Sequence, residues 1–303
     1  MHFITEEKIH NIGNVLNDES RPLKERFRAL FTLRNIGGPI AIDNISRSFN
    51  DPSALLKHEL AYCLGQMQDK EAISILISVL ENKDQEPMVR HEAAEALGAI
   101  GSEEAVSCLQ KYKNDSVMEV AETCELALNR IDWLKNSNEN SSILSKNPYS
   151  SVDPAPPANI QRVSQLKSIL INEKASLFER YRAMFALRNI GSKDAIEALG
   201  SALKCGSALF KHEIAFVLGQ IQHKDSVPYL IESLQDIEEN EMVRHECAEA
   251  LGSIATDECI EILNKYLDDS KRVVKESCII ALDMCEYENS PEFQYANTLS
   301  SAS

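Results

Sequence analysis

Four of the chain's seven histidines stand directly before a glutamate: His58–Glu59, His91–Glu92, His212–Glu213 and His245–Glu246. Imidazole nitrogen and carboxylate oxygen together suit iron, manganese or zinc. Two histidines with one carboxylate, leaving coordination positions open, form the ligand set of non-haem iron oxygenases. One such dipeptide carries little weight, because a histidine on a helix face is usually solvated; four in one register carry more. The protease signature H-E-x-x-H is not met, since its second histidine would fall on Tyr62, Glu95, Phe216 and Glu249. Nor do the cysteines stand at the spacing of a structural zinc site.

The segments that carry the pairs are near-copies: LLKHELAYCLGQMQ from Leu55, MVRHEAAEALGAIG from Met88, LFKHEIAFVLGQIQ from Leu209 and MVRHECAEALGSIA from Met242. Each histidine lies six residues before an anchoring leucine: Leu64, Leu97, Leu218 or Leu251. With Leu33, Leu128, Leu187 and Leu282 these anchors recur at spacings of 31, 33 and 31 in each half, and one offset of 154 superposes the halves. The outer repeats hold Phe27 and Tyr181, or Glu122 and Glu276, where the inner ones hold histidine.

Each repeat reads as two helices. In EAISILISVLEN, Ile73, Leu76, Ile77 and Leu80 fall at helical spacing. A polar break, KDQEP, follows, and the second helix MVRHEAAEALGAI ends at Gly101, a C-terminal stop. Repeats of about 30 residues built from two helices are HEAT-like, and they stack into a solenoid because one helix pair cannot bury its own apolar face. The expected fold class is therefore all-α: a HEAT-like helical-hairpin solenoid in two pseudo-symmetric lobes of four repeats. The lobes are placed at 1–135 and 160–286, with a flexible linker rich in Ser, Asn and Pro at 136–159 and a disordered tail at 287–303.

Stacked helices lie about 10 Å apart, which lets His58 and His91 reach toward one ion, and His212 and His245 toward a second. Should the halves face each other about a pseudo-twofold axis, the two ions would meet as a dinuclear centre. Glu92 and Glu246 are the preferred carboxylate ligands, because Glu95 and Glu249 one turn on make their surroundings more acidic. Tyr62 and Phe216 hold that place beside the other pairs. Glu59 and Glu213 are left either to join the ligands or to bind a cationic substrate. Glu95 and Glu249 are expected on a solvated face. Lys57, Arg90, Lys211 and Arg244 are read as solvated or supporting residues, not catalytic ones.

Composition narrows the function classes. A net charge of −16 argues against nucleic acid and fits a cationic partner through attraction and steering. No run of residues approaches the roughly 18 apolar positions of a membrane span, and the first residues show no secretory signal. Cys63, Cys108, Cys124, Cys205, Cys247, Cys259, Cys278 and Cys285 form no C-x-x-C pair and sit mostly at apolar helical positions. A reducing cytosol is the expected location.

With four His-Glu motifs in place at spacings of 33, 121 and 33, the chain resembles the deoxyhypusine hydroxylase family over about residues 5–286. The resemblance implies a two-lobed HEAT-repeat, di-iron monooxygenase that uses O2 to hydroxylate the deoxyhypusine side chain of eukaryotic initiation factor 5A. It also implies that His58, His91, His212 and His245 bind iron, two ions per chain, with carboxylates from the paired glutamates. Two other readings stand beside it: a scaffold without chemistry that binds a basic partner, and a tetrapyrrole handler like the HEAT-like bilin lyases.

Overall fold

The computed structural model describes residues 4–136 and 144–298. The expectations for the linker and the tail therefore fall partly outside the described residues, at 137–143 and 299–303. Among the described residues the regular structure is entirely helical, in hairpins that follow the repeat. The first four are α1 (Glu6–Asn17) with α2 (Leu23–Ile36), α3 (Pro39–Ser46) with α4 (Ala54–Met67), α5 (Ile73–Glu81) with α6 (Pro87–Ile100), and α7 (Val106–Tyr112) with α8 (Met118–Asn136). The second four are α9 (Val163–Leu170) with α10 (Leu177–Ile190), α11 (Lys193–Ala202) with α12 (Ala208–Ile221), α13 (Val227–Gln235) with α14 (Glu241–Ile254), and α15 (Asp257–Lys265) with α16 (Arg272–Glu288). The chain divides into two compact units, Met1–Leu128 with Pro291–Ser303, and Asn129–Ser290.

Sequence fixes both ends of the histidine-bearing helices α4, α6, α12 and α14. Ser53 and Ser207 cap α4 and α12 by accepting from the amides of Leu56 and Phe210, and Asn240 caps α14 through Met242. α6 instead starts at Pro87, whose missing N–H costs nothing in the first turn. Each of the four ends in the left-handed region, at Gln68, Gly101, Gln222 and Ala255. The two glutamines also reach across the stack with their side chains. Gln68 donates to the carbonyl of Ala99 at 3.0 Å and Gln222 to that of Ser253 at 2.8 Å. Each ties the end of its own helix to the next one.

Glycine sets how closely these helices stack. A Cβ on Gly65 would lie 2.7 Å from Cα of Ala96, and one on Gly98 would lie 2.9 Å from Cα of Ala127. The second unit repeats this with Gly219 against Ala250 at 3.0 Å and Gly252 against Ala281 at 2.6 Å. Each glycine is seven residues after its histidine, two turns on and on the same face. The close approach at Gly65 and at Gly219 therefore brings the two histidines of each unit together.

A repeated arginine clip locks every second hairpin. Nε of Arg26, Arg90, Arg180 and Arg244 donates to the carbonyl ten residues earlier, on Leu16, Leu80, Leu170 and Leu234, at 2.8 to 3.0 Å. These carbonyls belong to the ends of the first helices, where intrahelical partners run out. Nη2 then pairs with an aspartate in the next hairpin: Arg26 with Asp51, Arg90 with Asp115 at 2.7 Å, and Arg244 with Asp269 at 2.6 Å.

Residues 144–162 form no helix, yet the segment is held to its own unit. Asp153 receives two bonds from the buried guanidinium of Arg188, at 2.8 and 2.6 Å, and its carbonyl accepts from Arg130. Ala158 donates its amide to the carbonyl of Arg182. In the first unit Glu292 pairs with Arg28 at 3.0 Å, and Tyr295 packs against Arg28 and Phe31.

Candidate metal centre

The geometry is clearest in the first unit, where α4 and α6 place His58 and His91 with ring centroids 5.4 Å apart. Both rings are buried, as are Glu59 and Glu92. Nε2 of His58 faces Oε2 of Glu92 at 3.2 Å, and its Nδ1 faces Oε1 of Glu59 at 3.3 Å. One donor atom each from His58, His91 and Glu92 falls in a set whose members lie within 4.8 Å of one another. Two imidazoles and one carboxylate, buried and convergent, match the donor set of a divalent transition metal.

The second unit repeats the histidine pair and the contact between repeats. On α12 and α14 the rings of His212 and His245 are 5.3 Å apart, and Nε2 of His212 faces Oε2 of Glu246 at 3.3 Å. His212, Glu213, His245 and Glu246 are all buried. In both units the histidine of one repeat therefore meets the glutamate of the next. Glu92 and Glu246 are thus the carboxylates that face a histidine across the repeats, whereas Glu59 faces the histidine beside it in sequence.

Electrostatics follow from the burial. Desolvation alone would push the His58 imidazole down, but the carboxylates of Glu92 and Glu59 outweigh it, and its pKa is raised well above the ordinary value. A ring held between two carboxylates is a place that a bound cation would suit, since it would offset their charge.

Some neighbours differ from their sequence reading. Glu249 does not face solvent: it lies 3.7 Å from Nδ1 of His245 and accepts a hydrogen bond from Ser277 on α16 at 3.2 Å. Glu95 is half-buried. The cations before the histidines prove to be structural. Arg90 and Arg244 form the clips described above, Lys57 is buried against Glu86 at 2.6 Å, and Lys211 pairs with Glu239. Each finds partners other than those of the histidine it precedes in sequence, because neighbours on a helix diverge by about 100°. Seven of the eight cysteines are buried free thiols, and Cys205 is half-buried.

Sequence comparison agrees with this description. The family model for HEAT repeats matches residues 44–129 and 196–283, and that of the PBS lyase HEAT-like repeat matches 179–205. Fold and site together define a HEAT-repeat protein with a buried histidine–carboxylate group in each unit.

Full-length relatives narrow the class. The chain is 62% identical over 298 residues to deoxyhypusine hydroxylase of Drosophila pseudoobscura pseudoobscura, covering 98% of both chains. It is 58% identical over 295 residues to that of Danio rerio, covering 97% of both. The solved structure of human deoxyhypusine hydroxylase in complex with glycerol superposes with a TM-score of 0.90 at 56% identity, covering 93% of this chain and 97% of that one. The chain belongs to the deoxyhypusine hydroxylase family and is an enzyme. Among the described residues no helix is long and apolar enough to cross a membrane.

Proposed function

We propose that this chain hydroxylates the deoxyhypusine side chain of eukaryotic initiation factor 5A, using O2 and iron, in the cytoplasm. The observation that carries the metal part of the reading is the duplicated contact of His58 with Glu92 and His212 with Glu246, each beside a second buried histidine. His58, His91 and Glu92 would hold one iron ion, and His212, His245 and Glu246 a second. Iron bound there supplies the activation of O2 that a hydroxylation needs.

The remaining work falls to the chain's own groups. Glu59 holds Nδ1 of His58 and so fixes the ring with Nε2 turned toward Glu92. Glu213 is the buried counterpart of Glu59 in the second unit. Outside the two ligand sets, these carboxylates meet the amines of the deoxyhypusine chain, for which an anionic partner is the chemical match. Burial of the whole group keeps bulk water from the reacting centre.

The test is direct. Iron-loaded protein incubated with deoxyhypusine-bearing initiation factor is expected to form hypusine in air and none without O2, read by amino-acid analysis of the hydrolysed factor. Iron-loaded protein that leaves the factor unchanged in air would contradict the reading. A scaffold role, by contrast, would show full partner binding and no hypusine, with or without the four histidines.

A further inference from the structure

The arginine clip is complete in three places and altered in a fourth. Asp51, Asp115 and Asp269 each use one carboxylate oxygen for Nη2 of the clip arginine. The other oxygen accepts from the amide two residues on, that of Ser53, Val117 or Lys271, at 2.8 to 2.9 Å. The offset of 154 that relates the halves places Cys205 where Asp51 stands, and Ser207 where Ser53 stands. The loop between the helices has the same length, and Ser207 caps α12 as Ser53 caps α4.

Arg180 therefore lacks its aspartate. Its side chain is 5% exposed, and its Nη2 is a buried atom without a hydrogen-bond partner. The guanidinium stacks on the ring of Phe210 at 3.8 Å, where the first half has Leu56. Nη2 is aimed at the loop that holds Cys205, because a Cβ on the adjoining Gly206 would lie 3.0 Å from it. The Cys205 thiol itself donates to the carbonyl of Ala202 at 3.4 Å. Among the cysteines only Cys205 is not buried.

We propose that Cys205 is an oxidation site whose sulfinate form completes the fourth clip. One equivalent of a hydroperoxide, ROOH, oxidises the thiol by two electrons. The O–O bond breaks, an S–O bond forms, and ROH leaves with the proton, giving the sulfenic acid. A second equivalent repeats the step and gives the sulfinic acid and another ROH; the acid proton passes to water. Sulfinate then offers two oxygens where aspartate would: one for Nη2 of Arg180, one for the amide of Ser207. Susceptibility to this chemistry follows thiolate character and exposure, and exposure singles out Cys205. The thiol is pushed up by burial, pulled back by Arg180, raised again by Glu173, whose carboxylate accepts from the Gly206 amide, and lowered by Lys211. The first step is accordingly slow, and what selects the product is the charge-assisted pairing of the sulfinate.

The experiment treats the full-length protein with graded tert-butyl hydroperoxide and follows each cysteine by peptide mass. Two added oxygens on Cys205, before any other cysteine, with a rise in Tm of about 2–6 °C, are the expected result. Cys205→Asp, which carries the carboxylate permanently, should show the same rise without oxidant, and Cys205→Ser should show none. Oxidation that begins on another cysteine would overturn the proposal. So would a Cys205→Asp protein no more stable than Cys205→Ser.

Discussion

Nε2 of His58 meets Oε2 of Glu92 at 3.2 Å, while Glu59, its neighbour in sequence, holds the other ring nitrogen at 3.3 Å. The His-Glu dipeptide is therefore not the unit of the site. The unit joins a histidine of one repeat to a glutamate of the next, and the contact of His212 with Glu246 at 3.3 Å repeats it.

This assignment separates the glutamates by experiment. Glu92→Gln is expected to remove about one bound iron ion per chain, and Glu246→Gln the other, because each replaces an anionic ligand. Glu59→Gln should keep the ion but weaken its affinity about 10- to 100-fold, as loss of a group that orients a ligating imidazole does. Iron content after dialysis against a graded chelator checks both. Equal loss from Glu59→Gln and Glu92→Gln would contradict the division of roles.

The glycines test the positioning argument without touching a candidate ligand. In Gly65→Val or Gly219→Val the new side chain meets the backbone of Ala96 or Ala250, and the two histidine helices must part. The cost in stability should be about 1–3 kcal/mol, with a larger proportional loss of iron than of fold. Far-ultraviolet circular dichroism and metal analysis on the same samples measure the two together. A variant that loses helix and iron in parallel would show only general destabilisation.

The clips predict a dependence on pH. Asp115 lies below the ordinary carboxylate range because it accepts from Arg90. Asp269 is lowered as well: burial pushes it up, but the bonds from Arg244 and from the Lys271 amide prevail. A carboxylate with a depressed folded pKa contributes stability at pH values above its unfolded pKa, and that contribution is lost as pH falls through the folded one. Asp115→Asn and Asp269→Asn should each cost about 1–3 kcal/mol at pH 7, and the gap from wild type should close below about pH 4. Urea unfolding at pH 7, 5 and 3.5 gives the comparison. A gap that stays constant over this range would rule out the charged clip as its source.

Much of this was legible in the sequence because the repeat copies residues in register. The anchoring leucines gave the hairpins, and the fixed step from His58 to Leu64 and from His91 to Leu97 placed the histidines at one level of the stack. What escaped was decided by contacts between repeats. Arg90 looks like a surface cation beside a histidine, until the carbonyl of Leu80 and the carboxylate of Asp115 surround it. Glu249 looks like a solvated position until Ser277 of the following hairpin closes over it. Gln68 and Gln222 look like helix ends, yet their side chains bond the next helix. Asp153 sits in a stretch of Ser, Asn and Pro whose composition carries no sign of its partner Arg188, 35 residues on. Periodicity reports which face of a helix is buried, whereas these partners depend on which repeat lies beside it.

The central claim is that two equivalent histidine–carboxylate groups, one in each unit, hold iron. Iron quantified by plasma emission in purified wild-type protein, His58→Ala, His245→Ala and the double variant tests it most directly. The account predicts about two ions per chain in the wild type, about one in each single variant and close to none in the double variant. Wild-type protein without iron after reconstitution, or single variants that keep the full wild-type content, would contradict it.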